Sequence, residues 1–173
     1  MRVRTAVAAM LVVGPASTLR AQNASPSPVG RYLSLTAFAG SSGYDLAGGG
    51  RAGSRGVRVG VTLAPFLVIE PGVTWFGYQT QDAEHIGYAI AEISLQLQTS
   101  RGAVRPYIGG GAGYAFIRSG PAEGGRTVHG EIGLRARLVP HLSFTTEARV
   151  RDMSWFRVND TMVDYLWGLS LIW

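Results

Sequence analysis

From Gly30 to Trp173 the sequence alternates between apolar and polar residues one position at a time, and only extended strands sort such a pattern onto two faces. In the first segment Leu33, Leu35, Ala37 and Ala39 share a face, opposite Tyr32, Ser34, Thr36 and Phe38. Val57, Val59, Val61 and Leu63 do the same in the second, opposite Arg58 and small residues. The third, from about Leu67 to Tyr78, sets Ile69, Val73 and Trp75 against Glu70, Thr74 and Phe76. The fourth, from about Ile86 to Gln98, sets Ala91, Ile93, Leu95 and Leu97 against Tyr88, Glu92, Ser94 and Gln96. In the fifth, from about Arg105 to Ile117, Gly109, Gly111 and Gly113 occupy one face while Ile108, Ala112, Tyr114 and Phe116 occupy the other. The sixth, about Thr127 to Leu138, opposes Val128, Ile132, Leu134 and Leu138 to His129, Glu131, Arg135 and Arg137. Leu142, Phe144, Ala148 and Val150 oppose Ser143, Thr145, Glu147, Arg149 and Arg151 in the seventh, and the eighth, about Thr161 to Trp173, presents Val163, Tyr165, Trp167, Leu169, Leu171 and Trp173 on one face. These segments, mostly about 9 to 13 residues long, exceed the usual globular strand and match the roughly 9 to 11 residues that a tilted strand needs to cross a bilayer.

The connections alternate as well. Tight links at Ala64 to Phe66 and Val139 to His141 each hold a proline, and a slightly longer one runs from Thr99 to Val104. The others, at Ser41 to Ser54, Gln79 to His85, Arg118 to Arg126 and Met153 to Asp160, are longer and polar. Short turns at one end and long loops at the other are the habit of up-and-down barrels in membranes. Before the strands, Arg2 and Arg4 precede an apolar run from Thr5 to Val13 and a Gly14–Pro15 break, the layout of a secretory leader. Residues 1–21 are therefore expected to be a cleaved signal peptide, 22–29 a short linker, and 30–173 the barrel domain.

Alternation alone does not say which face points inward, since a soluble barrel alternates equally well. The charges decide it. Ten charged residues lie well inside the strands, all on the polar face: Arg58, Arg135, Arg137, Arg149, Arg151, Glu70, Glu92, Glu131, Glu147 and Asp164. Their signs balance, lysine is absent from the chain, and glycine is abundant at 24 residues. A solvated exterior would carry more charge and flexible lysines. A narrow interior instead needs small residues beside paired charges, because an unpaired buried charge is costly. The expected fold is all-β, an eight-stranded antiparallel up-and-down transmembrane β-barrel with this charge network in its lumen. Tyr32, Phe38, Phe76, Tyr78, Tyr88 and Tyr107 would help to fill it.

On the opposite face, Trp75, Tyr114, Phe116, Tyr165, Trp167 and Trp173 are placed for the headgroup level of a membrane, where amphipathic rings are favoured. The last strand, with Tyr165, Trp167, Leu169, Leu171 and the terminal Trp173, resembles the C-terminal assembly signal of bacterial outer-membrane proteins, with Trp where Phe is usual. The whole of Gly30 to Trp173, and the stretch RPYIGGGAGYAF from Arg105 to Phe116 above all, resembles the small outer-membrane barrels of the OmpA, OmpX and OmpW type. No peptidoglycan-binding domain of the OmpA kind is expected, the chain ending with the barrel. The resemblance implies a location in the bacterial outer membrane, contact with membrane lipid and lipopolysaccharide, insertion by the barrel assembly machinery, and a monomer whose loop partner is unknown.

Other function classes are weaker. Without the leader, 13 arginines face 11 acids, too small and scattered an excess for nucleic acid. Three isolated histidines and no cysteine form no metal ligand set, and the glycine runs precede no helix that would cradle a phosphate, so no cofactor is expected. His141 and Ser143 have the spacing of barrel enzymes that deacylate lipid A, with Glu147 nearby, but alternation sends Ser143 and Glu147 into the lumen, away from lipid. His85 and His129, placed near the long loops, have Asp82, Ser119 and Asp160 as conceivable partners. The expectation is thus a scaffold or surface-interaction barrel with a charge-plugged lumen and no enzyme activity, the alternative being a narrow conduit for small or hydrophobic solutes.

Overall fold

The computed structural model describes residues 32–43, 50–79, 85–120, 124–153 and 161–173, so the expected leader, the linker and the tips of all four long loops fall outside the described residues. Eight strands follow one another: β1 (Leu33–Gly43), β2 (Arg51–Ala64), β3 (Leu67–Gln79), β4 (His85–Gln98), β5 (Val104–Ser119), β6 (Gly125–Val139), β7 (Leu142–Asp152) and β8 (Thr161–Ile172). Each pairs antiparallel with the next, and β1 closes on β8 from Ser34 opposite Ile172 to Gly43 opposite Val163. Backbone bonds from Leu33 N to Trp173 O and back, each 3.0 Å, fasten the seam. Closure leaves no free sheet edge, which a chain surrounded by hydrocarbon requires.

The faces divide as the alternation demands. Ile108, Ile132, Leu95, Leu169 and Leu171 are exposed on the outside, whereas Arg149, Arg151, Gln96 and Asp164 are almost completely enclosed. An apolar exterior around a polar interior is the inverse of a soluble barrel.

The strands reach further into the long-loop end than expected, up to the 16 residues of β5. The stretch expected as a loop from Ser41 to Ser54 belongs largely to a hairpin, with Ser42 opposite Ala52 and Gly40 opposite Ser54. Its inward side chains bond each other directly, Ser42 Oγ to Ser54 Oγ. Small polar residues look like loop by composition. Beyond the hydrocarbon layer, however, a ladder needs only backbone pairing and no apolar face.

The lumen as candidate functional site

The interior is built around Arg149, on β7, which is fully buried and touches three carboxylates: Glu92 Oε1 at 2.5 Å, Glu131 Oε2 at 2.8 Å and Glu147 Oε1 at 2.9 Å. Those acids stand on β4, β6 and β7, so one guanidinium spans the interior. Glu92 also receives Arg151 at 2.8 Å and the Thr74 hydroxyl at 2.9 Å. Arg151 in turn reaches Asp164 on the adjacent β8 at 3.4 Å.

Toward the short turns a second cluster forms around Glu147 and Glu70. Arg58 gives Glu147 a two-pronged contact of 2.8 and 3.1 Å, and Tyr107 donates its hydroxyl to the same carboxylate at 2.7 Å. Arg58 also lies over the Phe38 ring, 4.1 Å from its centre. Arg135 bonds Glu70 at 2.7 Å, and Gln96 donates to both Glu70 and Glu131, at 2.9 and 2.8 Å, joining the two clusters. Bidentate guanidinium contacts are directional as well as strong, so they fix the strands' relative stagger.

The glycines of β5 and β6 are the counter-shape of this network. A Cβ on Gly111 would stand 2.8 Å from His129 Nε2, one on Gly109 would stand 2.9 Å from Glu131 Oε1, and one on Gly133 would enter the Tyr107 ring. The glycine face of the fifth segment therefore leaves room for the large polar side chains of the paired strand β6 and for the close backbone of β4, whose Ile93 and Leu95 carbonyl oxygens a Cβ on Gly111 and Gly109 would meet.

Toward the long loops the filling changes. Phe76, Ile86, Tyr88, Ile90, Ala115, Met153 and Met162 form one buried apolar cluster, with the Phe76 and Tyr88 rings stacked at 5.2 Å. Two chemistries thus fill one tube.

Among the ten charges expected in the lumen, nine join the ion pairs just described. Arg137 does not: it is exposed at the short-turn rim, where β6 runs out of the barrel. Hairpin order sets Arg149 beside Glu131, Arg151 beside Asp164 and Arg58 beside Glu70; the first two pairs are close, while Arg58 is 3.9 Å from Glu70 and spends its fork on Glu147, across the barrel. Phe38, Phe76, Tyr88 and Tyr107 fill the interior, but Tyr32 is exposed at the rim, and the Tyr78 side chain falls outside the described residues.

His129 lies inside the lumen, on the polar face of β6 that it shares with Glu131, with Nε2 2.9 Å from Ser94 Oγ and 3.5 Å from Glu131, and Nδ1 3.8 Å from Glu92. Its alternation with Glu131 on one face is the signal that placed it there. Ser94, His129 and Glu92 stand in the order of nucleophile, base and acid, yet Ser94 is 1% exposed and Glu92 is held by two arginines. Such a group lacks the open approach that an acyl substrate needs. His141 bonds Ile172 O at 3.0 Å in its turn, while Ser143 is buried inside, so that pair is separated as expected. The side chains of His85, Asp82 and Asp160 fall outside the described residues, and no metal-binding group is found among the described ones.

No family model and no curated protein matches the sequence. Solved structures do resemble the fold. The neisserial surface protein A superposes with a TM-score of 0.68 at 12% identity, covering 84% of this chain and 99% of that one. The outer membrane protein OprG from Pseudomonas aeruginosa gives 0.56 at 18% identity, over 84% and 97%, and the N-terminal barrel domain of Pseudomonas aeruginosa OprF gives 0.54 at 13%, over 84% and 100%. The chain has the fold of the small eight-stranded outer-membrane β-barrels, as its alternation and charge placement led one to expect.

Proposed function

We propose that this barrel sits in a bacterial outer membrane, after export with a cleaved leader, and works there as a closed scaffold whose long loops meet the surroundings. The short turns face the periplasm in this reading, and lipid and lipopolysaccharide cover the apolar exterior. The observation that carries it is Arg149, without measurable exposure and shared among three carboxylates at 2.5 to 2.9 Å. A guanidinium so held would have to abandon all three before a solute could pass. The apolar cluster around Phe76 and Tyr88 stands as a second stopper nearer the loops. In this reading the protein acts without enzyme activity or cofactor, and as a monomer.

Planar-bilayer recording of the purified protein tests this. The expected result is little or no conductance in wild type. A steady, large conductance would replace the scaffold by the conduit.

Insertion is assigned to the last strand, whose Tyr165, Trp167, Leu169, Leu171 and Trp173 are all more than half exposed on the outer face. The assembly machinery reads this strand. Replacing Leu169 and Leu171 by Arg, or deleting Trp173, is expected to abolish the heat-modifiable folded form in outer-membrane fractions, since an arginine facing lipid costs up to about 2–4 kcal/mol at mid-membrane. Wild-type levels of folded protein would remove that assignment.

A further inference from the structure

Most of the barrel's outer face is apolar. Among the described residues, the charged side chains on the outward phase of the strands are Arg51, Arg55, Arg118, Arg126 and Asp152, and all of them lie at the long-loop end. The short-turn end of that face has none. The excess is positive and confined to one end, and an arginine that faces lipid is costly unless an anion meets it.

The pair on β2 is the clearest case. Arg51, Gly53, Arg55, Val57 and Val59 are exposed on the outside of this strand, while Ala52, Ser54, Gly56 and Arg58 are buried between them. Arg55 stands in register between Ala39 on β1 and Trp75 on β3, one outward position above the lipid-facing Val57. It therefore sits where acyl chains give way to headgroups, with Arg51 four residues, or about 13 Å of strand, further toward the loop. Neither arginine has an ion pair or hydrogen bond among the described residues. Between them the surface is open: a Cβ on Gly53 would meet no atom within 4 Å, and the partner of Gly53 on β1 is the small Ser41. Tyr165 on β8 stands beyond Ser41, so aromatic side chains, Tyr165 and Trp75, border the gap on both sides. No Asp or Glu on the outward phase of β1, β3 or β8 competes for it among the described residues, whereas Arg126 on β6 lies diagonal to Asp152.

We infer that this gap binds the phosphorylated sugar headgroup of a glycolipid, its phosphate held between Arg51 and Arg55 over Gly53 and Ser41. Guanidinium groups suit phosphate oxygens, and a bound phosphate relieves the mutual repulsion of the two cations. Trp75 and Tyr165 offer the adjoining sugar and acyl chains an apolar surface with a polar edge. The occupant is a lipid rather than free phosphate because the pair faces outward, directly above the apolar rows of Leu35, Val57 and Val59. The inference rests on the membrane reading above, which surrounds the long-loop end with lipopolysaccharide, and adds the place on the barrel where its phosphate is held.

Native mass spectrometry of the folded protein in neutral detergent tests it, with lipid A and the same lipid stripped of its phosphates as probes. The expected result is preferential retention of the phosphorylated form, falling about fivefold for each arginine removed in Arg55→Gln and then in Arg51→Gln with Arg55→Gln. Gly53→Leu, which fills the gap and leaves both arginines in place, is expected to lower that retention as well. Equal retention of the two lipids, or a preference that the double replacement leaves unchanged, overturns the site. An equal loss from Arg126→Gln, four strands away, also overturns it and leaves only a diffuse basic rim. Displacement of lipid A by equimolar inorganic phosphate overturns the lipid as occupant. Retention is scored on the heat-modifiable folded form, so failure of the membrane reading appears as absence of that form, and failure of the site as folded protein without the preference. None of these readouts involves conductance, so an open pore in the bilayer experiment would end the scaffold reading and leave this one standing.

Discussion

Toward the short turns the lumen holds Arg58, Arg149 and Glu147 in a web of contacts mostly under 3.2 Å, whereas toward the long loops the same tube is filled by Phe76, Tyr88, Ile90 and Met162. Both fillings exclude solvent, but they fail differently. Removing one ion leaves its partners charged, buried and unpaired, and the penalty falls on groups that were not touched. Removing or reshaping an apolar side chain costs only its own contacts and whatever space the neighbours cannot close. The charged half therefore dictates one stagger of the strands, while the apolar half tolerates alternatives.

The widest expected difference between the halves comes from Arg149→Ala. It would strand Glu92, Glu131 and Glu147, and breaking a buried network in this way typically costs about 3–5 kcal/mol. Urea titration in lipid vesicles, followed by heat-modifiable migration, is expected to show a large fall in the midpoint. Glu131→Ala should also destabilise. The double variant should lose less than the sum, because each single change leaves its partner unpaired. Additive losses, with no coupling between Glu131 and Arg149, would break the contrast and return the lumen to a set of independent polar residues.

A smaller effect tests whether the glycines serve the charged half. Gly111→Val would place a branched side chain where the His129 ring and the Ile93 carbonyl already stand. Overpacking of this kind costs about 1–3 kcal/mol, and it should release the contact of His129 with Ser94. The imidazole proton signals of the refolded protein report that contact directly. A valine variant with wild-type stability and an unchanged His129 spectrum would mean that the space beside Gly111 has no structural purpose.

Much of this was legible before any coordinates. Alternation assigns Glu70, Glu92 and Glu131 to the interior and Leu169 and Leu171 to lipid, because period two is a property of the strand itself. Partners on adjacent strands, such as Arg151 and Asp164, follow from hairpin order. What alternation does not carry is the third dimension. Arg58 on β2 meets Glu147 on β7, and Arg149 meets Glu92 on β4, through the barrel rather than along the sheet, and the stagger of all eight strands sets which heights coincide. The same reason hid the division of the lumen, since Phe76, Tyr88 and Met162 are scattered in sequence and gather only when β3, β4 and β8 curve around one axis. Arg137 shows the limit of the rule: it keeps the inward phase but lies past the end of the enclosed tube.

The smallest expected effect probes the tolerant half. Ile90 is completely buried in the apolar cluster, and Ile90→Leu keeps its volume while moving one methyl group. Volume-conserving exchanges of this kind usually cost less than about 1.5 kcal/mol, because flexible neighbours such as Met153 and Met162 can refit around the new shape. In the same urea titration the midpoint should therefore move far less than for Arg149→Ala, and the bilayer should stay silent, since the ion network below is untouched. A loss as large as that of the arginine variant would show that the upper filling fixes the strand stagger as tightly as the lower one. In that event the two halves would have to be regarded as a single cooperative plug.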